Sequence, residues 1–421
     1  MRDDGIGSDV GVLGMTAVRD QEPRVEAPEA NDGALSRRAL LSRIGLGAVT
    51  VVVAGAGVAS YRVYDNGVLD AGSGEPYAPW SQWRDDPGPA GAVAAAILAA
   101  NPHNSQSWMF AVTPTRVEMF ADPTRRTGTL DPLLREQHIG LGCALENLML
   151  AAAARGYDAT VTLMPTVNDP THVATVDLVA GSARSSPLHD AIADRHSNRG
   201  PYTSRAVSVE LIEALSAQTA GLDGVGVRWF TTGPDKSALG DLLLEATEAI
   251  IADPQQSNDS FVWFRNNRDD IDRHMDGLTL DGQGLDQLTL TLAKILPATS
   301  RSTGDQFWLT QTRTVHTETA AAYGIVTVAD TDDPVQRVNG GRLTERVHLA
   351  ATTHGLAMQY MNQITERIDR ERTSGNLATF DARLDALLAQ PGRRALVTFR
   401  IGHPVRAARR SPRRPLDEVT R

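Results

Sequence analysis

The most constraining feature of the sequence is an internal repeat, because a duplicated segment restricts the chain to folds built from two similar halves. The pattern G-x-x-x-E-x-[LV]-x-L-A-A-x-x-x-G occurs at residues 142–156 and again at residues 341–355, 199 positions later. Small and apolar residues at helical spacing, closed by glycine, predict a buried helix in each copy. Seven coincident positions favour duplication. The alternative is two Ala-rich buried helices that match by chance.

Segments of both secondary-structure types surround the repeat. Alternating or continuous apolar residues predict strands, and a 3.6-residue period predicts helices. Strands are expected at 161–164, 173–179 and 395–401, and helices at 92–100, Leu239–Ile251 and Leu343–Ile368. The sequence therefore predicts a mixed α and β fold with a first half at 91–190 and a second half at 191–421, with one core per half or one shared core.

The composition restricts what the chain can bind. Acidic residues outnumber basic residues by 51 to 41, which gives a formal net charge of −10, whereas phosphate backbones require a basic face. We therefore expect no nucleic-acid partner. Lys236 and Lys294 are the two lysines, so 39 of the basic residues are arginines and any anion site must be built from arginine.

The chain offers little for thiol, hydrolytic or metal chemistry. Cys143 is the single cysteine, which excludes an intramolecular disulfide and a thiolate metal cluster. It lies in the first repeat, where a small buried thiol is the usual occupant, so we assign it no catalytic role. The motifs G-x-S-x-G and H-E-x-x-H and a P-loop are absent, and the ten histidines show no metal-ligand spacing. No metal site is predicted.

The N-terminal segment resembles a targeting signal. Residues 1–43 are polar and acidic, which predicts disorder, and they contain the pair Arg37 and Arg38. An uncharged run of helix length follows at 44–61, as in twin-arginine export signals. A cleaved signal predicts an exported protein, and an uncleaved segment predicts one membrane anchor. Both interpretations place the protein at the cell envelope, with the membrane or the export machinery as partner.

Two other interpretations of this segment stay open. Residues 51–57 also look like a strand running into a Gly-rich dinucleotide turn, although Ser60 replaces the third glycine of that pattern. If 44–61 is an ordinary buried helix, the protein is cytoplasmic.

Residues 65–90 contain four prolines and are predicted as a linker.

Three polar patches carry the remaining chemical signals. Residues 101–110 combine amides with an aromatic side chain, which suits the edge of a planar heterocycle. Residues 194–202 place two arginines and a serine within five positions, which suits a phosphate. The third patch is an Arg-rich tail at 400–419. Each patch also has an ordinary structural interpretation: the first as a capping loop with a core tryptophan, the second as a solvated loop, and the third as a solvated chain end.

Together the patches resemble the nitroreductase family. Asn104, Gln106 and Trp108 match its P-S-x-x-N-x-Q-P-W-x-F segment, with Ser107 in place of the proline. Residues 195–199 resemble its R-x-S-x-[RK] motif, and the tail resembles its closing strand and basic end. The sequence is most similar to the Acg-like branch, in which two nitroreductase-like halves share one chain.

The resemblance implies an α+β fold in which one chain imitates the family's dimer and keeps one FMN site between its halves. Further pairing is left open, so the protein is expected to be a monomer or a homodimer. The implied site residues are Arg195, Arg199 and Arg413 on the FMN phosphate with Ser197 close by, Asn104 and Gln106 at the pyrimidine or ribityl part, and Gly324 in the backbone segment that faces the flavin N5.

The function implied is an FMN-dependent oxidoreductase that takes hydride from NADH or NADPH and passes electrons to an unknown acceptor. The flavin carries the chemistry, so no protein catalytic residue is required. One alternative is an FMN-binding or storage protein with little turnover, and another is an envelope interaction module on a decayed scaffold. An insertion at 252–312 contains clustered aromatic residues, interpreted either as a lid over the flavin or as the core of an inserted helical element.

Overall fold

The computed structural model describes residues 66–68, 71–296, 298 and 300–421. The predictions made for 1–43 and 44–61 lie outside this part of the chain. Among the described residues, no helix is both long enough and apolar enough to cross a membrane.

The first half contains a four-stranded antiparallel sheet with strand order β1-β2-β4-β3. One long helix, α3, connects β2 to β3. The elements are α1 (Pro79–Gln82), α2 (Gly88–Ala96), β1 (Trp108–Thr113), β2 (Arg116–Ala121), α3 (Arg135–Ala154), β3 (Tyr157–Leu163), β4 (His172–Ala180) and α4 (Pro187–Asp190). The strands predicted at 161–164 and 173–179 are confirmed, and the helix predicted at 92–100 begins and ends four residues earlier.

The second half begins with a helix, its first strand and a long helix, and then contains the insertion. Its first elements are α5 (Val209–Ser216), β5 (Gly226–Phe230) and α6 (Gly233–Ala252). The insertion contains α7 (Pro254–Phe261), β6 (Phe264–Arg265), α8 (Arg268–His274), β7 (Leu278–Thr279), α9 (Gln287–Ile295) and α10 (Arg301–Gln311), which continues into a π-helical turn (Thr312–Thr317). The helix predicted at Leu239–Ile251 is confirmed within α6.

The remaining elements complete a second four-stranded antiparallel sheet, with strand order β5-β8-β10-β9. They are β8 (Ala322–Val328), α11 (Pro334–Thr353), β9 (Ala357–Tyr360), α12 (Gln363–Ser374), α13 (Asp381–Leu388), β10 (Arg394–Gly402) and α14 (Leu416–Val419). Counted along the chain, both sheets have their strands in the order first-second-fourth-third, and both place the repeat helix between the second and third strands. The α+β fold with two similar halves is therefore confirmed.

The two repeat helices, α3 and α11, pack directly against each other. A Cβ atom on Gly142 would lie 2.1 Å from the carbonyl oxygen of Val338, and a Cβ on Gly341 would lie 2.2 Å from that of Ile139. The contact is reciprocal, because Ile139 and Val338 each lie three residues before the glycine of their own repeat. Backbone therefore meets backbone at the crossing, and only glycine fits at either position.

Two predictions differ from the structure. Residues 71–90 are packed rather than extended as a linker: their prolines begin short helices, and Trp80 is buried with its indole Nε1 donating to the Ser411 carbonyl oxygen at 2.7 Å. The helix predicted at Leu343–Ile368 is divided into α11, β9 and α12. Gly355 adopts a left-handed φ of 68° after α11, which ends the helix and lets β9 join the sheet.

We expect Gly341→Ala to destabilise the protein by about 1–3 kcal/mol or more, because the methyl group would push two helix backbones apart. Gly304→Ala is the matched control, since Gly304 is also helical and a Cβ there would meet the Phe261 ring at an ordinary 3.8 Å. The control is expected to be neutral or slightly stabilising, as alanine favours helix over glycine. Thermal unfolding of both variants checks the prediction. Equal melting temperatures would contradict a tight crossing.

Candidate functional site

A cavity of about 240 Å³ lies where the two halves and the insertion meet. The first half contributes the loop 100–103 and the start of α3, and the second half contributes Ser197, Arg199 and the segment 359–366. The insertion adds four aromatic side chains, Phe261, Phe264, Phe307 and Trp308. We call this space the main cavity.

A smaller cavity of about 50 Å³ adjoins the main cavity and shares Ser197 and Arg199 with it. We call it the arginine hole, because four of its lining residues are arginines. Those four are Arg195, Arg199, Arg409 and Arg413. The hole brings together five of the seven predicted site residues, namely Asn104, Arg195, Ser197, Arg199 and Arg413.

Arg195 is a buried member of the hole with a carboxylate partner. Its Nε lies 2.9 Å from Oε1 of Glu345, the glutamate of the second repeat, and both side chains are fully buried. Its Nη2 also donates to the Leu98 carbonyl oxygen at 2.9 Å. One positive charge of the hole is therefore neutralised inside the protein.

Arg413 is buried without a carboxylate partner among the described residues. Its guanidinium donates to the carbonyl oxygens of Leu98 and Ala99, both at 3.2 Å, and to the side-chain oxygen of Asn104. Its carbon Cζ lies 4.7 Å from the centre of the Trp80 ring. Its Nε has no hydrogen-bond partner. Burial, together with the neighbouring charge of Arg195, lowers the pKa of Arg413 well below its usual value.

Arg199 resembles Arg413 in its surroundings. Its Nη1 donates to the Gly282 carbonyl oxygen at 3.2 Å, and no described carboxylate pairs with it. Burial lowers its pKa to about 10, so it stays charged at neutral pH. The hole therefore holds the guanidinium groups of two buried arginines, Arg195 and Arg413, and of the half-buried Arg199 against one described carboxylate. Such an excess of desolvated positive charge favours a bound anion.

The remaining two predicted residues do not reach either cavity. Gln106 is buried, and it ties the loop to the insertion and to the tail, since its Nε2 donates to the Met275 oxygen and its Oε1 accepts from the Arg414 amide, each at 2.8 Å. Gly324 lies inside β8, where a Cβ would be 2.2 Å from the Phe399 ring. Gly324 lacks a side chain because the sheet packs closely there, and the residues of this sheet region that line the main cavity lie instead within 359–363, at the end of β9 and the start of α12.

Three buried polar atoms on the main cavity wall have no hydrogen-bond partner. They are Nδ1 of His316, Oε1 of Gln363 and Oε1 of Glu136. Burial and the nearby Arg400 and Arg199 lower the pKa of His316 well below its usual value, so its imidazole is neutral. The sequence analysis missed all three. Gln363 was hidden by the prediction of one continuous helix through 343–368, and His316 lies in a π-helical turn that periodicity does not reveal.

Cys143 also lines the main cavity, and the structure supports its assignment as a structural thiol. It is buried, and its Sγ lies 3.3 Å from the Gly341 carbonyl oxygen. Burial, with Glu345 nearby, raises the pKa of the thiol well above its usual value, so no thiolate nucleophile is available.

Two glutamates on the cavity wall form a buried pair. Glu136 lies at the start of α3 and Glu366 at the start of α12, both side chains line the main cavity, and each carboxyl group acts on the pKa of the other. Burial raises the pKa of Glu366 to about 8, with Asp131 and Asp369 adding negative charge nearby. Burial and Glu366 raise the pKa of Glu136 well above its usual value. Both carboxyls are therefore protonated at neutral pH.

The raised pKa of Glu366 predicts a pH-dependent stability. The unfolded chain releases this proton at about pH 4, while the folded protein holds it to about pH 8. Unfolding therefore releases a proton in this window, and the contribution of Glu366 to the free energy of unfolding falls as the pH rises. We expect Glu366→Gln, which stays neutral, to gain stability relative to the natural protein between pH 5 and 9, by about 1 kcal/mol or more.

Thermal melts across that pH range check this prediction. Glu213→Gln, on the exposed face of α5, is the control and should track the natural protein at every pH. A constant difference in melting temperature between Glu366→Gln and the natural protein would contradict a proton held by the pair.

Comparisons with known proteins identify relatives of the chain. It is 27% identical over 282 residues to Rv3131 of Mycobacterium tuberculosis, whose name marks it as a candidate NAD(P)H nitroreductase; the match covers 63% of this chain and 73% of the relative. It is 31% identical over 139 residues to acg of the same organism, named in the same way, covering 32% and 42%. No protein-family model matches the chain.

Solved structures with similarity to the chain also carry the nitroreductase name. One is a nitroreductase with bound FMN from Desulfitobacterium hafniense, at 15% identity and a TM-score of 0.33, covering 55% of this chain and 95% of that one. Another is NfnB of Mycobacterium smegmatis in complex with NADPH, at 15% identity and a TM-score of 0.32, covering 56% and 97%. The chain is thus similar in sequence to mycobacterial proteins that carry the nitroreductase name.

Proposed function

We propose that this protein is an FMN-dependent oxidoreductase of nitroreductase type, which takes hydride from NADH or NADPH and transfers electrons to a second acceptor. The observation that carries the proposal is the arginine hole, a cluster of three guanidinium groups with one described carboxylate partner, which adjoins an aromatic-lined cavity. A ligand that fits this arrangement has a small anionic group joined to a larger planar ring, as flavin mononucleotide has.

The residues of the hole fit a phosphate group. Arg199 and Arg413 supply charge-assisted donors with no internal carboxylate partner among the described residues, and Nε of Arg413 is a donor in need of an acceptor. Ser197 adds a hydroxyl group at the same wall. A phosphate monoester carries close to two negative charges at neutral pH, which matches the two unpaired guanidinium groups.

The residues of the main cavity fit a planar ring with polar edges. Nδ1 of His316 and Oε1 of Gln363 are buried acceptors without partners, so they suit the N–H group of a heterocycle. Bound flavin would supply hydride transfer, which no side chain can perform. The protein's part is to orient the ring, to exclude water with the aromatic residues of the insertion, and to set which acceptor enters.

A second candidate function is FMN binding with little turnover. The four aromatic side chains of the insertion, which supply one wall of the main cavity, are the observation that favours it. If this wall stays closed, nicotinamide cannot reach the ring.

One absorption experiment separates the two functions. The full-length protein is purified, and its spectrum is recorded before and after anaerobic addition of NADH or NADPH. Flavin bands that bleach support the oxidoreductase, whereas bands that persist favour the binding protein. A colourless protein that takes up no added FMN contradicts both.

The predicted export of the protein stays a proposal, based on residues 37–61. Fusion of reporter domains after residue 64 would test it. Reporter activity confined to the cytoplasm would contradict the export signal.

We expect Arg199→Ala to weaken FMN binding by about 10- to 100-fold, the effect of one lost charge-assisted contact. Arg199 is the most informative position, because its only described side-chain partner is a carbonyl group. Loss of Arg195, by contrast, would leave the buried carboxylate of Glu345 without its arginine partner and would destabilise the fold. Arg205→Ala is the control, since Arg205 is exposed on the following loop. Titration of the flavin-free protein by flavin fluorescence measures the affinity. Unchanged FMN affinity of Arg199→Ala would contradict binding of the FMN phosphate in the arginine hole.

A further inference from the structure

The Glu136–Glu366 pair lies on the main cavity wall, and its role is not explained by cofactor binding. One glutamate comes from each half, at the first turn of α3 and of α12. Both side chains are buried, at 5% and 8% exposed, and both line the cavity. The other acid of the cavity, Asp305, is already occupied, because its Oδ2 accepts from the Ser257 hydroxyl at 2.6 Å.

The surroundings of the pair keep it protonated. Asp131 and Asp369 are the nearby acids, and both raise the pKa of the two glutamates. The cations on this side are engaged elsewhere: Arg135 binds both carboxylate oxygens of Asp369, at 2.8 and 2.5 Å, and Arg337 donates to carbonyl oxygens and to Asp332. Asn362 is a polar neighbour that acts in the opposite direction and lowers the pKa of Glu136.

The pair holds acidic protons at the wall of the main cavity. Burial and the neighbouring acids keep both carboxyl groups protonated at neutral pH. Oε1 of Glu136 is buried with no partner in the described part of the chain. The carboxyl group of Glu136 can therefore hydrogen-bond to a molecule in the main cavity.

We propose that the Glu136–Glu366 pair hydrogen-bonds to the electron acceptor and donates the proton that completes its reduction. This inference rests on the proposed function. It selects acceptors with an oxygen that becomes O–H on two-electron reduction, of which a quinone is the simplest class. A bound reduced flavin would supply two electrons and one proton as a hydride, which would form one O–H bond of the hydroquinone. The pair supplies the second proton: one carboxyl O–H bond breaks, the second O–H bond of the hydroquinone forms, and the pair regains its proton from water.

The test uses Glu366→Gln and Glu136→Gln in the full-length protein, with p-benzoquinone as the acceptor. We expect the oxidative half-reaction to slow by about 100-fold, the usual contribution of a positioned acid, while reduction by NADH or NADPH keeps its rate. In the natural protein the oxidative rate should fall above about pH 8, where the pair loses its second proton, and this fall should be absent in Glu366→Gln. Glu213→Gln is the control and should behave like the natural protein.

A readout independent of turnover is the infrared carbonyl band of a protonated carboxylic acid. This band should be present at pH 7, weaken above about pH 8 as Glu366 loses its proton, and be weakened in both variants. It should also shift when p-hydroxybenzaldehyde, an unreduced neutral carbonyl probe, binds the oxidised protein. A yellow protein that bleaches with NADH or NADPH but lacks this band, or whose variants reoxidise at the natural rate, overturns the inference alone. A colourless protein overturns the proposed function as well.

Discussion

The contact between the two repeat helices determines the rest of the structure. Gly142 and Gly341 allow α3 and α11 to approach until a backbone carbonyl of each helix occupies the place of a side chain on the other. This approach brings the start of α3 from the first half beside the segment after β9 in the second half, and the main cavity forms where they meet. A larger residue at either glycine would separate the halves, and the cavity would lose its shape with them.

The same contact explains why the described chain assembles one arginine hole rather than two. The repeat places a glutamate at equivalent positions, Glu146 and Glu345, and their partners differ. Glu146 is bound by Arg342 and Arg346 of the opposite helix, at 2.9 and 2.6 Å, and serves the crossing itself. Glu345 binds Arg195 and so holds an arginine of the hole in position. The two matching glutamates therefore have different roles, one at the helix crossing and one beside the arginine hole.

The grouping of three arginines could be predicted from the sequence, because arginine is almost the only basic residue available and it is concentrated in two patches. The structure brings Arg195, Arg199 and Arg413 to one cavity. The residues that the resemblance implied for the ring and the N5 side include two that line neither cavity. Gln106 has the expected position in its motif, but its side-chain amide stabilises the loop and the tail. Gly324 lacks a side chain because a Cβ there would clash with the Phe399 ring. Amide and glycine residues serve packing as readily as binding, so their presence in a motif does not decide between the two.

The carboxyl pair could not be predicted, because its two members come from helices in different halves and acquire their protons only on burial. Neither glutamate lies in a recognisable motif, and each begins a helix, where an acid is ordinary. Their chemistry depends on Arg135 being bound to Asp369 rather than to them, a choice that exists only in three dimensions. The protonation of these carboxyl groups depends on which helices the fold brings together, not on the residues next to either glutamate.

The arginine hole shows how a protein can keep positive charge available for a ligand. Carbonyl oxygens of Leu98, Ala99 and Gly282 hold Arg413 and Arg199, where carboxylates would have cancelled their charge. Carbonyl dipoles fix the direction of a guanidinium group and satisfy its N–H donors, but they leave its net charge intact. The cost of burying that charge remains until an anion binds, so ligand binding and native stability are coupled. Because the tail closes the hole through Ser411 and Trp80, the same anion would also stabilise the packing of the chain's last segment.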